Sequence, residues 1–348
     1  HSSYSGSVYV SWTEFDEYDS EDEEDRSRIR FSAYRLDIDS FSTAITVSDT
    51  TGGCVDDDNT LEGATTAVGK NGTIYMAWSG FEKIYFDKSL DGGKTWGADK
   101  IVADQPEGWD MAMPNIFRAN GMPFLACDTQ TNLLFLVWAD EQNGNADIWL
   151  KTSKDGGETW SKRIKINQDS TLSHQYFPNI AYHQPSHTLY VAWWDQRNSP
   201  RNLFYDIYTA TYSPQTGVQE FRITPKSIPL PGKEFFYGDY IDVDVNHSSI
   251  GVIYPVYDEK KRKSYIRCAY GSLEELQNVK AKVQPIVNLE SSLTNSMVVV
   301  NATAPFVVKG QLITGTFFNR KRYRFRHKVS TLDEPKDFKI ATVEKSSN

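Results

Sequence analysis

The sequence predicts an all-β chain closed into a six-bladed β-propeller. Three observations carry the prediction: an apolar strand segment that recurs six times, a composition rich in aromatics and turn residues, and two closely similar eight-residue turns. The 348 residues hold 19 Tyr, 18 Phe and 9 Trp beside 22 Gly and 14 Pro, which excludes an extended helical bundle. Length alone would admit two domains, but all-β chains of about 200 residues or more often form one.

The recurring segment reads SVYVSWTEFD from Ser7, TIYMAWSGFE from Thr73, LLFLVWADEQ from Leu133, TLYVAWWDQR from Thr188, VIYPVYDEK from Val252 and LITGTFFNRK from Leu312. Each is a buried strand ending in an aromatic: Trp12, Trp78, Trp138, Trp193, Tyr257 and Phe317, spaced 66, 60, 55, 64 and 60 residues apart. A second strand follows each (RIRFSAYRL, KIYFDKSL, DIWLKTSK, DIYTATYS, SYIRCAYG, YRFRHKVS), then a third, such as DKIVAD or QEFRIT. A short strand precedes most of them, as in FPNIAYHQPSH. Four antiparallel strands make a blade, and six blades close a ring without a long free edge. The expected blades are 1–53, 54–104, 105–168, 169–226, 227–289 and 290–348, all in one domain. Blade one starts at its second strand, because six residues precede Ser7. A chain trimmed at its start, or the segment SMVVVN at 296–301 filling the gap, are the two ways to complete it.

The formal charge of −9 makes nucleic acid a poor partner, since phosphate binding needs a basic surface. The charge is local. Residues 14–25 (EFDEYDSEDEED) hold nine acidic residues and no basic one, and the remainder carries 37 of each sign. Apolar runs such as LLFLVWA are far short of the roughly 20 residues that span a bilayer, so no membrane span is expected. The chain begins at His1 without Met or a leader, which fits a mature piece of an exported precursor. A secreted, periplasmic or cell-surface location is expected, and a monomer.

Between the second and third listed strands of blade two lies Ser89-Leu-Asp91-Gly-Gly93-Lys-Thr-Trp96, and in blade three Ser153-Lys-Asp155-Gly-Gly157-Glu-Thr-Trp160. Both fit S-x-D-x-G-x-T-W. The Asp carboxylate can accept backbone N–H bonds across the turn, Gly supplies positive φ, and Trp packs back on the blade. The pattern resembles the Asp-box, or bacterial neuraminidase repeat, of the sialidase-like propellers. DDDNTLEGA, EGWDMAMP, HQYFPNIA, WWDQRN and FFYGDY also look like segments of secreted bacterial proteins labelled exo-α-sialidase or sialidase-family glycosyl hydrolase. The resemblance extends over essentially the whole chain. It gives the boxes a structural role and implies an active site on the opposite face, around the axis.

That face would carry the loops after the aligned aromatics and the connections between blades. Glycoside hydrolysis needs two carboxyl groups, one kept protonated by its surroundings. Asp58, Glu62, Asp110 and Asp239 are the acid/base candidates, each set among apolar residues near the start of an inner strand. Sialidases of the family hold a substrate carboxylate with three arginines and use a Tyr nucleophile, which points to Arg118, Arg197 and Arg320 or Arg322, and to Tyr237 or Tyr240. The chain lacks the family's N-terminal F/Y-R-I-P arginine motif. Asp195 and Arg197 are read either as a rim salt bridge or as ligand contacts. His174 is a candidate base, and Trp109, Tyr176 and Phe236 are candidate stacking surfaces for a sugar. Asp56, Asp57 and Asp58 could ligate Ca²⁺, though no cofactor is required. The resemblance implies a Cys54–Cys127 bridge, since similar secreted proteins carry cysteines at both places; Cys268 reads as a buried thiol.

The expected activity is that of an exo-glycosidase acting on a glycan or polysaccharide. The alternatives are a non-catalytic carbohydrate-binding propeller, and a polysaccharide lyase pairing His174 with Tyr176 or Tyr237. The acidic run falls in a loop on the candidate ligand face. Should it reach the centre it would repel an anionic sugar, favouring a neutral, cationic or Ca²⁺-bridged glycan.

Overall fold

The computed structural model describes residues 6–36, 38–236, 238–258, 260, 263–278, 289–292, 297–300, 313–315, 322–324 and 339–342. Sheet one holds β1 (Ser7–Phe15), β2 (Ser27–Arg35), β3 (Ser40–Phe41) and β4 (Ile45–Thr46). Sheet two holds β5 (Glu62–Val68), β6 (Ile74–Gly80), β7 (Lys83–Ser89) and β8 (Lys100–Asp104). Sheet three holds β9 (Phe124–Cys127), β10 (Leu134–Asp140), β11 (Asp147–Ser153) and β12 (Ile164–Lys165). Sheet four holds β13 (Gln175–His183), β14 (Thr188–Asp195), β15 (Phe204–Ser213), β16 (Gly217–Arg222) and β17 (Ile228–Pro229). Sheet five holds β18 (Asp242–Val245), β19 (Ser249–Asp258), β20 (Lys263–Ser272) and β21 (Leu289–Ser292), with one short helix, α1 (Leu273–Asn278), after β20. Last come β22 (Met297–Val300), β23 (Ile313–Gly315), β24 (Arg322–Arg324) and β25 (Lys339–Thr342), paired β22–β25 and β23–β24.

The described residues are therefore almost wholly β, built of five antiparallel sheets of four or five strands and two two-stranded pairs. Sheets two to five run in chain order from first strand to fourth, as the repeats predict. Phe317 and most of the sixth repeat lie outside the described residues. The segment at 297–300 pairs with β25, whereas β1 pairs with β2 alone among the described residues. The boundary expected at 289/290 falls inside β21. No helix of the described residues is long and apolar enough to cross a membrane.

The first strands lie against one another in sequence, β1 on β5, β5 on β9, β9 on β13 and β13 on β18. Apolar clusters fill the spaces between neighbouring sheets. Ile29, Phe31 and Trp78 join sheets one and two, while Phe86, Leu136 and Trp138 join sheets two and three. Sandwiching explains why β6 and β10 are buried at every position rather than alternating: a neighbouring sheet covers each face.

The two S-x-D-x-G-x-T-W turns serve these interfaces. Asp91 Oδ1 accepts the N–H groups of Lys94 and Thr95 at 3.0 and 2.9 Å, and Ser89 Oγ accepts that of Gly93 at 2.8 Å. Asp155 and Ser153 repeat the pattern with Thr159 and Gly157, each at 2.9 Å. Each turn closes on a Phe of the preceding sheet. Trp96 meets Phe31 edge-on with ring centroids 5.2 Å apart, and Trp160 meets Phe86 at 5.3 Å. Gly93 and Gly157, both at φ +85, present no Cβ because one would stand 2.0 Å from Phe31 and 2.1 Å from Phe86.

Truncating either partner ring should therefore open a cavity at an intersheet joint. Phe31→Ala and Phe86→Ala are each expected to cost about 3–5 kcal/mol in urea unfolding. A loss below about 1 kcal/mol would show that the turns do not clamp their neighbours.

Candidate functional site

The connections that lead into β5, β9 and β18 meet at one end of the sheets. Each contributes to a single polar cluster: Asp56 ahead of β5, Trp109 and Arg118 ahead of β9, Asp239 ahead of β18. The β1–β2 loop adds Tyr18. At the centre, Arg118 donates from Nη1 to Asp56 Oδ2 at 2.6 Å, and from Nη2 and Nε to the two oxygens of Asp239 at 2.6 and 3.1 Å. The Asp239 side chain is 4% exposed and that of Asp56 17%. Burying two carboxylates is tolerable only because the planar guanidinium meets both with charge-assisted bonds. Those carboxylates, Asp239 foremost, hold Arg118 firmly charged.

Asp56 also accepts from Trp109 Nε1 at 2.7 Å and from the Tyr18 hydroxyl at 2.6 Å. Burial would raise its pKa, but Tyr18, Trp109 and Arg118 together hold it below the ordinary carboxylate range. Tyr18 moves the other way. Burial and its bond to Asp56 push the phenol up to about 12, so it remains a donor.

Glu62 opens β5 immediately before a β-bulge, where Glu62 faces Ser79 but Thr65 faces Ala77. Gly63, at φ +69, lets the strand take the extra residue, and its missing Cβ leaves room for Pro123, Met122 and Trp109 at 3.1–3.3 Å. The Glu62 carboxyl lies beside Asp56. Burial, then the Asp56 charge, push its pKa up to about 8, so it is protonated at neutral pH while Asp56 is ionised. Its Oε1 is buried without a hydrogen-bond partner. Beside the cluster, Phe236 lies under Arg118 at 5.1 Å and meets Phe117 edge-on at 5.7 Å. These rings border a shallow apolar depression that Trp194, Leu230 and Phe235 help to line. Phe117 and Phe236 are 57% and 50% exposed, and Tyr240, close to Asp239 and Arg118, is 63% exposed.

Of the sequence candidates, Glu62, Asp239, Arg118, Trp109 and Phe236 come together here. Asp58 sits at the margin, where its Oδ1 accepts the Trp109 N–H at 2.9 Å and its carbonyl oxygen that of Phe81 at 2.6 Å, which makes it a loop fastener. Asp110 is exposed and donates its N–H to Asp58. Tyr237 and Arg320 lie outside the described residues.

Other candidates are spent on structure. Tyr176 follows the start of β13, where a bulge between Tyr176 and Asn179 turns its ring into the core against Phe177 and Trp194, so it offers no sugar platform. Arg197 is bound by Asp195 at 2.7 Å and Glu220 at 2.5 Å and packs over Tyr208 at 4.1 Å; Asp195 also accepts from Trp193 Nε1. Neither is left to hold a ligand. His174 Nδ1 accepts the Ala146 N–H at 3.3 Å and burial lowers its pKa, so the ring is neutral with that lone pair used, unlike a free base.

Cys54 and Cys127 are both free. Cys54 precedes β5, whereas Cys127 ends β9 with its sulfur against Gly69 and Asn132 beyond the far end of β5, so a strand length separates them. The three aspartates do not converge on a cation. Asp56 faces Tyr18, Trp109 and Arg118; Asp57 caps the Asn59 N–H; Asp58 holds Trp109. No His, Cys, Asp or Glu group among the described residues is arranged to hold a metal.

No family model matches the chain, and no curated protein does. Among solved structures it is similar to the GH93 α-L-arabinofuranosidase of Fusarium graminearum, at 13% identity and TM-score 0.46, covering 80% of each chain. It is also similar to the Penicillium chrysogenum α-L-arabinanase, at 13% identity and TM-score 0.45 over 76% of this chain and 77% of that one. A Hadza microbial sialidase gives 12% identity and TM-score 0.47 over 92% and 66%. Likeness at this level assigns no activity.

Arg118 should be the keystone of the cluster. Arg118→Met leaves Asp239 buried without its counter-ion and should cost about 2–3 kcal/mol, below the fully buried case because Arg118 is 38% exposed. In a urea double-mutant cycle, Asp239→Asn should recover at least about 1 kcal/mol of that loss. Additive effects would show that the pair is not coupled.

Proposed function

We propose that this protein is a glycoside hydrolase that acts on the end of a glycan chain, with Glu62 as general acid and Asp56 as the ionised carboxylate. The observation that supports the reading best is the juxtaposition of these two groups in opposite protonation states, in a cluster whose central Arg118 packs on the exposed Phe236 ring. Glycosidic cleavage asks for an acid that keeps its proton until it gives it to the leaving oxygen, and an ionised carboxylate in contact with a buried one supplies such an acid. Burial first, and then the charge of the ionised Asp56, keep the proton on Glu62. Three donors keep Asp56 charged through the reaction. Asp239 serves as a positioning residue that fixes Arg118, and Phe236 and Phe117 offer apolar ring faces to sugar C–H groups.

The test is a panel of fluorogenic glycosides spanning α-L-arabinofuranosides, uncharged hexosides and sialosides. On the best substrate, Glu62→Gln and Asp56→Asn should each lower kcat/KM by about 10²-fold or more while thermal unfolding stays cooperative. The acid must carry its proton, so kcat/KM should fall as pH rises through about 8, and that limb should vanish from the residual activity of Glu62→Gln. Glycan binding without turnover on any member would favour a carbohydrate-binding role. Full activity in both variants would place the chemistry elsewhere.

A further inference from the structure

We infer that Tyr18 is a specificity-determining residue: it pins the acidic β1–β2 loop to the rim of the carboxyl cluster, so that the site accepts glycans without an anionic group and rejects sialic acids, uronates and sulfated sugars. The inference rests on the glycoside hydrolase reading above and names its substrate class.

The loop is fastened rather than free. The Tyr18 hydroxyl donates to Asp56 Oδ2 at 2.6 Å, the Asp19 N–H donates to the Cys54 carbonyl at 2.9 Å, and Phe15 braces the Tyr18 ring edge-on at 5.2 Å. The base of the loop is electrically satisfied. Arg28 takes Glu14 and Asp16 at 3.1 and 2.8 Å, and Arg30 takes Glu14 at 3.4 Å. The other seven carboxylates of the run, from Glu17 to Asp25, have no ion pair among the described residues, and Glu17, Asp19, Glu21, Asp22, Glu23 and Glu24 are exposed. The bond of Tyr18 to Asp56, and that of the Asp19 N–H to Cys54, hold this stretch of the loop against the connection that carries Asp56; exposed charges act over a screening length of about 8 Å at physiological salt.

The cluster has no cation to spare. Every nitrogen of Arg118 is engaged, Nε and Nη2 with Asp239 and Nη1 with Asp56. Three of its five N–H donors are thereby spent and its charge is matched by two carboxylates, so an incoming carboxylate would compete with both, beside a loop rich in unpaired acids. Like charge meeting like charge selects against a ligand without any steric clash.

Two readouts test this: a glycan array pairing neutral oligosaccharides with their sialylated or uronate-bearing counterparts, and hydrolysis of the best fluorogenic glycoside beside its uronic-acid analogue. The wild type should prefer the neutral partner by about tenfold or more at low salt, with the ratio shrinking as salt is raised. The exposed charge-reversed triple variant Glu21→Lys, Glu23→Lys, Glu24→Lys should narrow the ratio while leaving neutral turnover unchanged. Tyr18→Phe should narrow it too by unfastening the loop. A wild type that handles anionic partners equally well, or an unchanged ratio in the triple variant, overturns the specificity role alone. If no glycan of either charge is bound or cleaved, the glycoside hydrolase reading fails, and this inference with it.

Discussion

The site depends on one guanidinium. Arg118 ties the connection before β5 to the connection before β18 through Asp56 and Asp239, and it does so from a third connection of its own. Sheets that meet along first strands leave their connecting loops facing one another at one end, without a strand ladder to join them. A rigid, five-donor group bridging two carboxylates supplies the order that loop backbone does not. Removing it would leave two acids close together and little covered by solvent, an arrangement that would relax by protonation or by opening the loops.

Much of the fold was legible because its physics repeats. A strand covered on both faces must be apolar throughout and end where cover ends, so β6, β10 and β14 stand out as runs with an aromatic near the end. The S-x-D-x-G-x-T-W turns are equally local, since the Ser, Asp and Gly that shape each turn lie within five residues. What they press against was not legible. Phe31 and Phe86 are ordinary strand aromatics until a neighbouring sheet brings a Trp and a bare Gly against them.

The site was legible in part, for a related reason. Position along the repeat says which end of a strand a residue occupies, and that was enough to place Glu62, Arg118, Trp109 and Asp239. It does not say which way a side chain turns. A bulge beside Glu62 and another beside Tyr176 break the two-residue alternation, and one puts a carboxyl in the cluster while the other buries a phenol in the core. Asp56 carried a signal, the DDDN run, but acidic density suggested a cation where the structure supplies Arg118, Trp109 and Tyr18 instead. Tyr18 carried almost none, being one aromatic inside a run whose charge dominates its reading.

The energetics of Glu62 bear on whether the cluster exists for stability. A carboxyl with a pKa near 4.5 when unfolded and about 8 when folded is protonated in the fold and ionised in the open chain at pH 7. Its contribution is neutral below the lower value and turns destabilising as pH rises toward the upper one, reaching on the order of 3 kcal/mol at neutral pH. The same place holds a buried carboxyl oxygen with no partner. Gln would remove the titration cost, and an apolar residue would remove the orphan oxygen as well. A chain that concentrates a high-pKa acid, an ionised neighbour and an engaged arginine beside exposed rings gives up stability at that point, so the Glu62 proton is held there at a cost the fold does not require.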